Sequence, residues 1–156
     1  MRVATLPPHV PEQSRASSGI PGLDNILGGG FPANHLYLVE GTPGAGKTTL
    51  GLQFLRQGVA SDEKGLYITL SETANELRTV AASHGWTLDG IEIFELVTEE
   101  GLSPDAEQSI LHPSEVELGE TTRGVMAAAD RVKPRRVVFD SLSEMRLLAQ
   151  NPLRYR

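Results

Sequence analysis

Apolar residues fall into two patterns along this chain. Short, nearly unbroken runs stand at His35-Leu36-Tyr37-Leu38-Val39-Glu40, Gly65-Leu66-Tyr67-Ile68-Thr69-Leu70 and Arg136-Val137-Val138-Phe139-Asp140. Runs this short and apolar predict strands, and the continuous 65–70 run predicts one buried on both faces of a parallel sheet. A further strand is predicted at 91–97, where Glu92 and Glu95 point to a solvated face or a sheet edge. Between the strands the apolar spacing lengthens to three and four. Leu50, Phe54 and Leu55 predict a helix from Thr48 to Gly58, and Ala74, Leu77, Val80 and Ala81 predict another from Thr73 to His84, with Gly85 placed to end it. Residues 120–132 predict a third helix, and Leu23 to Leu27 a short helical turn closed by Gly28-Gly29-Gly30. Residues 1–18, with Pro7, Pro8 and Pro11, predict a flexible or extended lead-in that contributes nothing to the core. Strands alternating with helices imply an α/β domain over 19–156, a four-stranded parallel sheet flanked by helices with right-handed crossovers.

Composition narrows the functional classes. With 156 residues and 39% hydrophobic content, the chain suits one domain with a sizeable core. No apolar run nears the roughly 20 residues that span a bilayer, and the start has no signal-peptide core, so no membrane and a cytoplasmic setting are expected. The absence of cysteine excludes disulfides and thiolate zinc sites. The histidines His9, His35, His84 and His112 are scattered, which suits surface or packing roles better than metal binding. A net charge of -6 argues against a broad basic face and disfavours nucleic acid as a partner. Glu99, Glu100, Glu115, Glu117 and Glu120 form an acidic stretch expected on solvated loops.

The chemistry is concentrated in Gly41-Thr42-Pro43-Gly44-Ala45-Gly46-Lys47-Thr48-Thr49, a full match to the phosphate-binding pattern G-x-x-x-x-G-K-[ST]. Gly41, Gly44 and Gly46 are expected at positive φ, which brings backbone N–H groups close to phosphate oxygens. Lys47 is expected on the β- and γ-phosphates, and the Thr48 hydroxyl on a magnesium ion. A predicted strand precedes the loop and a predicted helix follows it, and the positive helix end reinforces the anion site. A nucleoside triphosphate is the implied ligand.

Two carboxylates could complete the site. Asp140 ends an apolar strand in the manner of a Walker B segment, where it would hold magnesium opposite Thr48; the alternative is a cap for the next helix. Glu72 lies just past another strand end, where ligands of open α/β sheets collect, and could orient and deprotonate water. Its alternative role is a first-turn glutamate that favours the helix dipole.

Residues Ser18 to Thr49, with Leu70-Ser71-Glu72-Thr73, His84-Gly85-Trp86 and Val138-Phe139-Asp140-Ser141, resemble the KaiC-like branch of the RecA superfamily. The most specific elements are Gly19-Ile20-Pro21-Gly22-Leu23-Asp24 and Gly28-Gly29-Gly30-Phe31-Pro32. The resemblance implies a RecA-like P-loop NTPase core that binds ATP and Mg2+, in homo-oligomeric rings or filaments where a neighbour completes the site. It assigns Gly41 to Thr49 to the Walker A loop, Asp140 to Walker B, and Glu72 to an acidic pair whose other member is here Ser71. Asn34 stands where a glycine is common. The family also carries a strand between the Walker A and Walker B strands, located in sequence after the latter; only sixteen residues follow Asp140 here, so a C-terminally incomplete domain is expected. ATP hydrolysis is the leading function. A nucleotide-gated assembly module with little turnover, a KaiC-type serine/threonine autokinase and a recombinase-like DNA-binding ATPase are the alternatives.

Overall fold

The structure, a computed structural model, describes residues 14–96 and 113–144. His9, His112, Glu99 and Glu100 lie outside them. In chain order the elements are β1 (Arg15–Ala16), α1 (Pro21–Ile26), β2 (Phe31–Pro32), α2 (Lys47–Val59), β3 (Gly65–Thr69), α3 (Ala74–Ser83), β4 (Ile91–Glu95), α4 (Pro113–Val132) and β5 (Arg136–Asp140). The last three strands form a parallel sheet in the order β4-β3-β5, and β1 pairs with β2 antiparallel.

The strand β3 is the centre. All five of its residues are buried, because helices cover both faces and a strand pairs along each edge. Tyr67 packs with Leu52 and Leu55 of α2, Leu77 and Ala81 of α3, and Ile91 of β4. Leu66 and Ile68, of opposite parity along the pleat, face the other side, where Phe94 meets Gly124 of α4. Fully burying side chains such as Leu52 and Leu55 stabilises by roughly 1.5–3 kcal/mol each. The stripe expected on α2 shifts accordingly. Leu52, Leu55 and Gly58 are its buried positions, while Leu50 and Phe54 are only half-buried.

Local chemistry sets the helix ends. Thr73 caps α3 with a reciprocal capping box to Glu76, and Gly85 follows the C-cap with φ 70°. The Thr73 N–H (2.7 Å) and hydroxyl (2.9 Å) both donate to Glu76 Oε2 and hold that carboxyl below its usual range. The helix α4 begins at Pro113, seven residues before the helix expected from 120, so Glu115 and Glu117 belong to it rather than to the expected loop.

Two further expectations are corrected. The lead-in joins the fold before residue 18: Arg15 and Ala16 pair with Pro32 and Phe31, and Ser18 is buried. Residues 35–40 form no strand, and the sheet of the described residues has three strands rather than four. A strand exists only through its ladder partners, and this run has none among the described residues. Leu36 is 98% and Leu38 66% exposed, with Tyr37 tethered locally by its hydroxyl to Pro32 O (2.8 Å) and by its ring to Phe31 (4.7 Å between centroids). Asn34 enters the run in left-handed geometry, φ 60°, which asparagine tolerates better than most residues.

Candidate nucleotide-binding site

The loop 41–46 is exposed and delivers the chain into α2 through Gly46, whose φ of 87° makes it a left-handed N-cap. Gly44 is left-handed too (φ 78°), but Gly41 is not. Gly41 is required instead by a close approach, since a Cβ there would stand 3.1 Å from the Ala45 Cβ. Helix α2 has no acidic residue in its first turn. Its unpaired N–H groups and partial positive charge therefore face the loop without an internal counterion. The Lys47 ammonium donates to the carbonyls of Gly41 (2.9 Å) and Thr42 (3.1 Å), arching back across the loop.

Across from the loop, β5 runs parallel to β3 in a register that pairs Thr69 with Asp140. Thr48 of α2 donates to Asp140 Oδ2 at 3.2 Å, and the Tyr67 hydroxyl of β3 donates to the same oxygen at 2.6 Å. Burial, and then the bond to Asp140, push the Tyr67 phenol far above its usual range, so it stays a donor. The close approach of α2 that allows this geometry depends on Gly51. A Cβ at that position would lie 3.0 Å from Val138 Cγ1 and 3.6 Å from Tyr67 Cε2.

Glu72 sits in the turn after β3. Thr69 Oγ1 holds its backbone from both sides, donating to Glu72 O (2.7 Å) and accepting from Glu72 N (3.0 Å). Glu72 precedes the N-cap Thr73, so capping of α3 falls to Thr73 and Glu76. Its Oε2 is buried without a hydrogen-bond partner. Desolvation, followed by the charges of Asp140 and Glu76, raises its carboxyl above the usual carboxylate range.

The entry segment locks onto the same framework. Asp24 accepts from the Ser17 hydroxyl and from the N–H and hydroxyl of Ser18 (2.7 Å each), and these bonds outweigh desolvation to keep its carboxyl below the usual range. Gln53 of α2 donates to Gly19 O at 2.9 Å. An open cleft of about 780 Å³ runs beside the loop, lined by Gly46, Thr49, Leu50, Arg56, His84 and Trp86 among others. In it His84 stacks on Trp86 (4.6 Å between centroids) and the Arg56 guanidinium lies 4.7 Å from the Trp86 ring centre.

Sequence reasoning missed Tyr67 and the Arg56–Trp86 pair as site residues. An aromatic hydroxyl in the centre of a strand due to be wholly buried was the available signal for Tyr67, since such a group needs a polar partner.

Magnesium usually keeps several waters and takes one or two protein ligands plus phosphate oxygens. The pair Thr48 and Asp140 fits that pattern. Among the described residues no three His, Cys, Asp or Glu side chains gather into an all-protein cage.

A family model described as ATPase: KaiC matches residues 16–156. A UPF0273 protein of Pyrococcus horikoshii is 33% identical over 138 residues, covering 84% of this chain and 56% of that protein. The circadian clock oscillator protein KaiC of Prochlorococcus marinus is 33% identical over 132 residues, 81% of this chain and 25% of that protein. Among solved structures, a KaiC-like protein of Pyrococcus horikoshii matches with a TM-score of 0.69 and 30% identity, over 87% of this chain and 59% of that one. The chain thus spans about half the length of the Pyrococcus horikoshii UPF0273 protein and about a quarter of KaiC. On a family match that leaves out only the first fifteen residues, with the α/β fold shared at 30% identity, the chain belongs to the KaiC family of RecA-type P-loop ATPases.

Proposed function

We propose that this chain binds Mg-ATP on the loop 41–49 and hydrolyses it, working in a ring or filament of like subunits. The observation that supports this best is the meeting of Thr48 and Asp140 at the positive end of α2, with the Glu72 carboxylate in the adjoining turn. The loop amides and Lys47 would take the phosphates, the ammonium exchanging its carbonyl partners for phosphate oxygens. Thr48 and Asp140 are the residues that would hold magnesium. When bound there, magnesium would supply positive charge that neutralises the phosphates. Glu72 would orient the attacking water and take its proton. A carboxyl raised by burial and by a neighbouring carboxylate is better matched to that task than an ordinary one.

The cleft beside the loop has room for a nucleobase, and Trp86 is among the residues that line it. Preference for adenine over guanine rests on family membership. Glu72 favours turnover over a purely nucleotide-gated module, which is the reading kept second. A cytoplasmic setting and self-assembly belong to the same proposal. For the described residues, no helix is long and apolar enough to cross a membrane.

The test is steady-state phosphate release from ATP and from GTP, with magnesium, with EDTA, and with added DNA. Magnesium-dependent ATP turnover insensitive to DNA is the expected result. Tight magnesium-nucleotide binding without turnover would favour the gated module, and stimulation by DNA the recombinase reading. No binding of any nucleotide would overturn all of them.

A further inference from the structure

We infer that Tyr67 is a positioning residue for the metal-nucleotide site, its hydroxyl fixing the carboxylate of Asp140 for work on the Thr48 side. The inference rests on the reading of Thr48 and Asp140 as the magnesium-holding pair.

Tyr67 lies in the middle of β3 and is fully buried, packed on α2 and α3. Phenylalanine would fill the same volume and would need no polar partner in so apolar a cluster. The hydroxyl therefore has to be accounted for. It reaches out of the cluster to one acceptor, Asp140 Oδ2, at 2.6 Å, a short bond of the charge-assisted kind. Thr48 donates to that same oxygen at 3.2 Å. Two donors converge on Oδ2.

The consequence is geometric. A carboxylate at the end of a strand can swing about its two side-chain torsions, and a magnesium site built on one such group needs it held. Thr48, at 3.2 Å against 2.6 Å for Tyr67, is the longer and weaker of the two contacts that hold it. Tyr67 is held on the opposite side by the register of β3 with β5, where it pairs with Val138 two residues before Asp140. A ring locked in the core thus carries the position of the sheet to the carboxylate. The Thr48 hydroxyl has one proton to donate and lone pairs left for a metal, so both contacts can persist when a metal-nucleotide is present.

The experiment compares Tyr67→Phe with the parent, using a fluorescent ATP analogue titrated in EDTA and then across a range of magnesium concentrations. Asp140→Asn and the double variant are titrated alongside. Groups that orient metal ligands typically govern affinity by 10–100-fold. The expected result is EDTA affinity within about twofold of the parent, a magnesium midpoint raised on the order of tenfold, and no further loss when Tyr67→Phe is added to Asp140→Asn. Thermal melts accompany each variant, and Tyr67→Met, which fills the space without a donor, replaces the phenylalanine variant if that fails to fold. A parent-like magnesium midpoint in the folded variant overturns the inference, as does an equal loss with and without magnesium. If Asp140→Asn itself leaves magnesium dependence unchanged, the magnesium reading of the site falls first, and Tyr67 loses its role with it.

Discussion

The hydroxyl of Thr48 donates to Oδ2 of Asp140 across 92 positions of sequence, joining the first turn of α2 to the end of β5. The contact is possible because Gly51 lets α2 lie against β5 and because β5 is registered on β3, with Leu70 N donating to Asp140 O at 2.8 Å to fix the strand end. Phosphate loop and aspartate are thus coupled through packing rather than through a flexible bridge. A change that moves the sheet under α2 should therefore register as a change in magnesium dependence.

Lys47→Ala should abolish magnesium-ATP binding and leave the fold nearly unchanged. The ammonium is bonded only to two exposed loop carbonyls, so its loss removes no core contact. Titration with a fluorescent ATP analogue and a thermal melt check the two halves separately. Parent-like affinity would remove the loop from the functional argument.

Glu72→Gln should cut turnover by on the order of 10²–10⁴ while ATP binding persists, the range typical of positioned proton transfer. The same variant has a predicted effect on stability. A carboxyl whose folded-state pKa is raised contributes stability that is fully present below its unfolded pKa and is lost as pH rises through the folded value. At neutral pH the ionised Glu72 is therefore a cost, and its replacement by the neutral amide should raise Tm there. The gain should shrink as pH falls from the raised folded-state value toward the ordinary carboxylate value of 4.5, and be gone below it. Melts of both proteins from pH 4 to pH 8 test the sign, and a Tm difference that does not vary with pH would contradict it.

Gly58→Ala should destabilise the fold by roughly 1–3 kcal/mol, despite a gain of about 1 kcal/mol in helix propensity. A Cβ at this position in α2 would lie 2.6 Å from Arg136 Cδ and 2.8 Å from its Nε. Arg136 cannot step aside cheaply. It is buried, paired with Glu63, donates to Ser17 O (2.6 Å) and Phe54 O (2.9 Å), and lies over the Phe54 ring. Urea unfolding reads the difference, and an alanine variant as stable as the parent would show that this cluster can relax.

Much of the architecture was legible because its causes are local. The strand pattern of β3 and β5, the Thr73 cap, the Gly85 stop and the phosphate loop each depend on a few adjacent residues. What escaped was set by distant partners. Leu36 to Val39 has the same composition as β3, but composition cannot report whether a ladder partner is present. Arg136 reads as the polar start of a strand, whereas its side chain is claimed by Glu63, 73 positions away. Tyr67 reads as one more core aromatic until the register of β3 with β5 brings Asp140 within reach of its hydroxyl. In the candidate site, Lys47, Thr48, Glu72 and Asp140 could be named from sequence, whereas Tyr67 and the hydrogen bonds that orient Asp140 could not.

The run Leu36 to Val39 yields the last prediction. Its four side chains are all substantially exposed, Leu36 almost completely, and no ladder joins its backbone to the sheet among the described residues. Among the described residues β5 pairs only with β3, and Val137 is 48% exposed. An open strand edge beside an exposed apolar run is a template for pairing with another chain. This chain should therefore self-associate with rising concentration, and Leu36→Lys with Leu38→Glu should suppress the association. Neither substitution should cost more than about 0.5 kcal/mol of stability, because the side chains replaced lie mostly in solvent. Light scattering over a concentration series reads the first effect and urea unfolding of the dilute protein reads the second. If the charged variant stayed associated, the edge would not be the contact. If it lost 2 kcal/mol or more when dilute, the run would be packed in a strand in solution, and the three-stranded description of the sheet would be wrong.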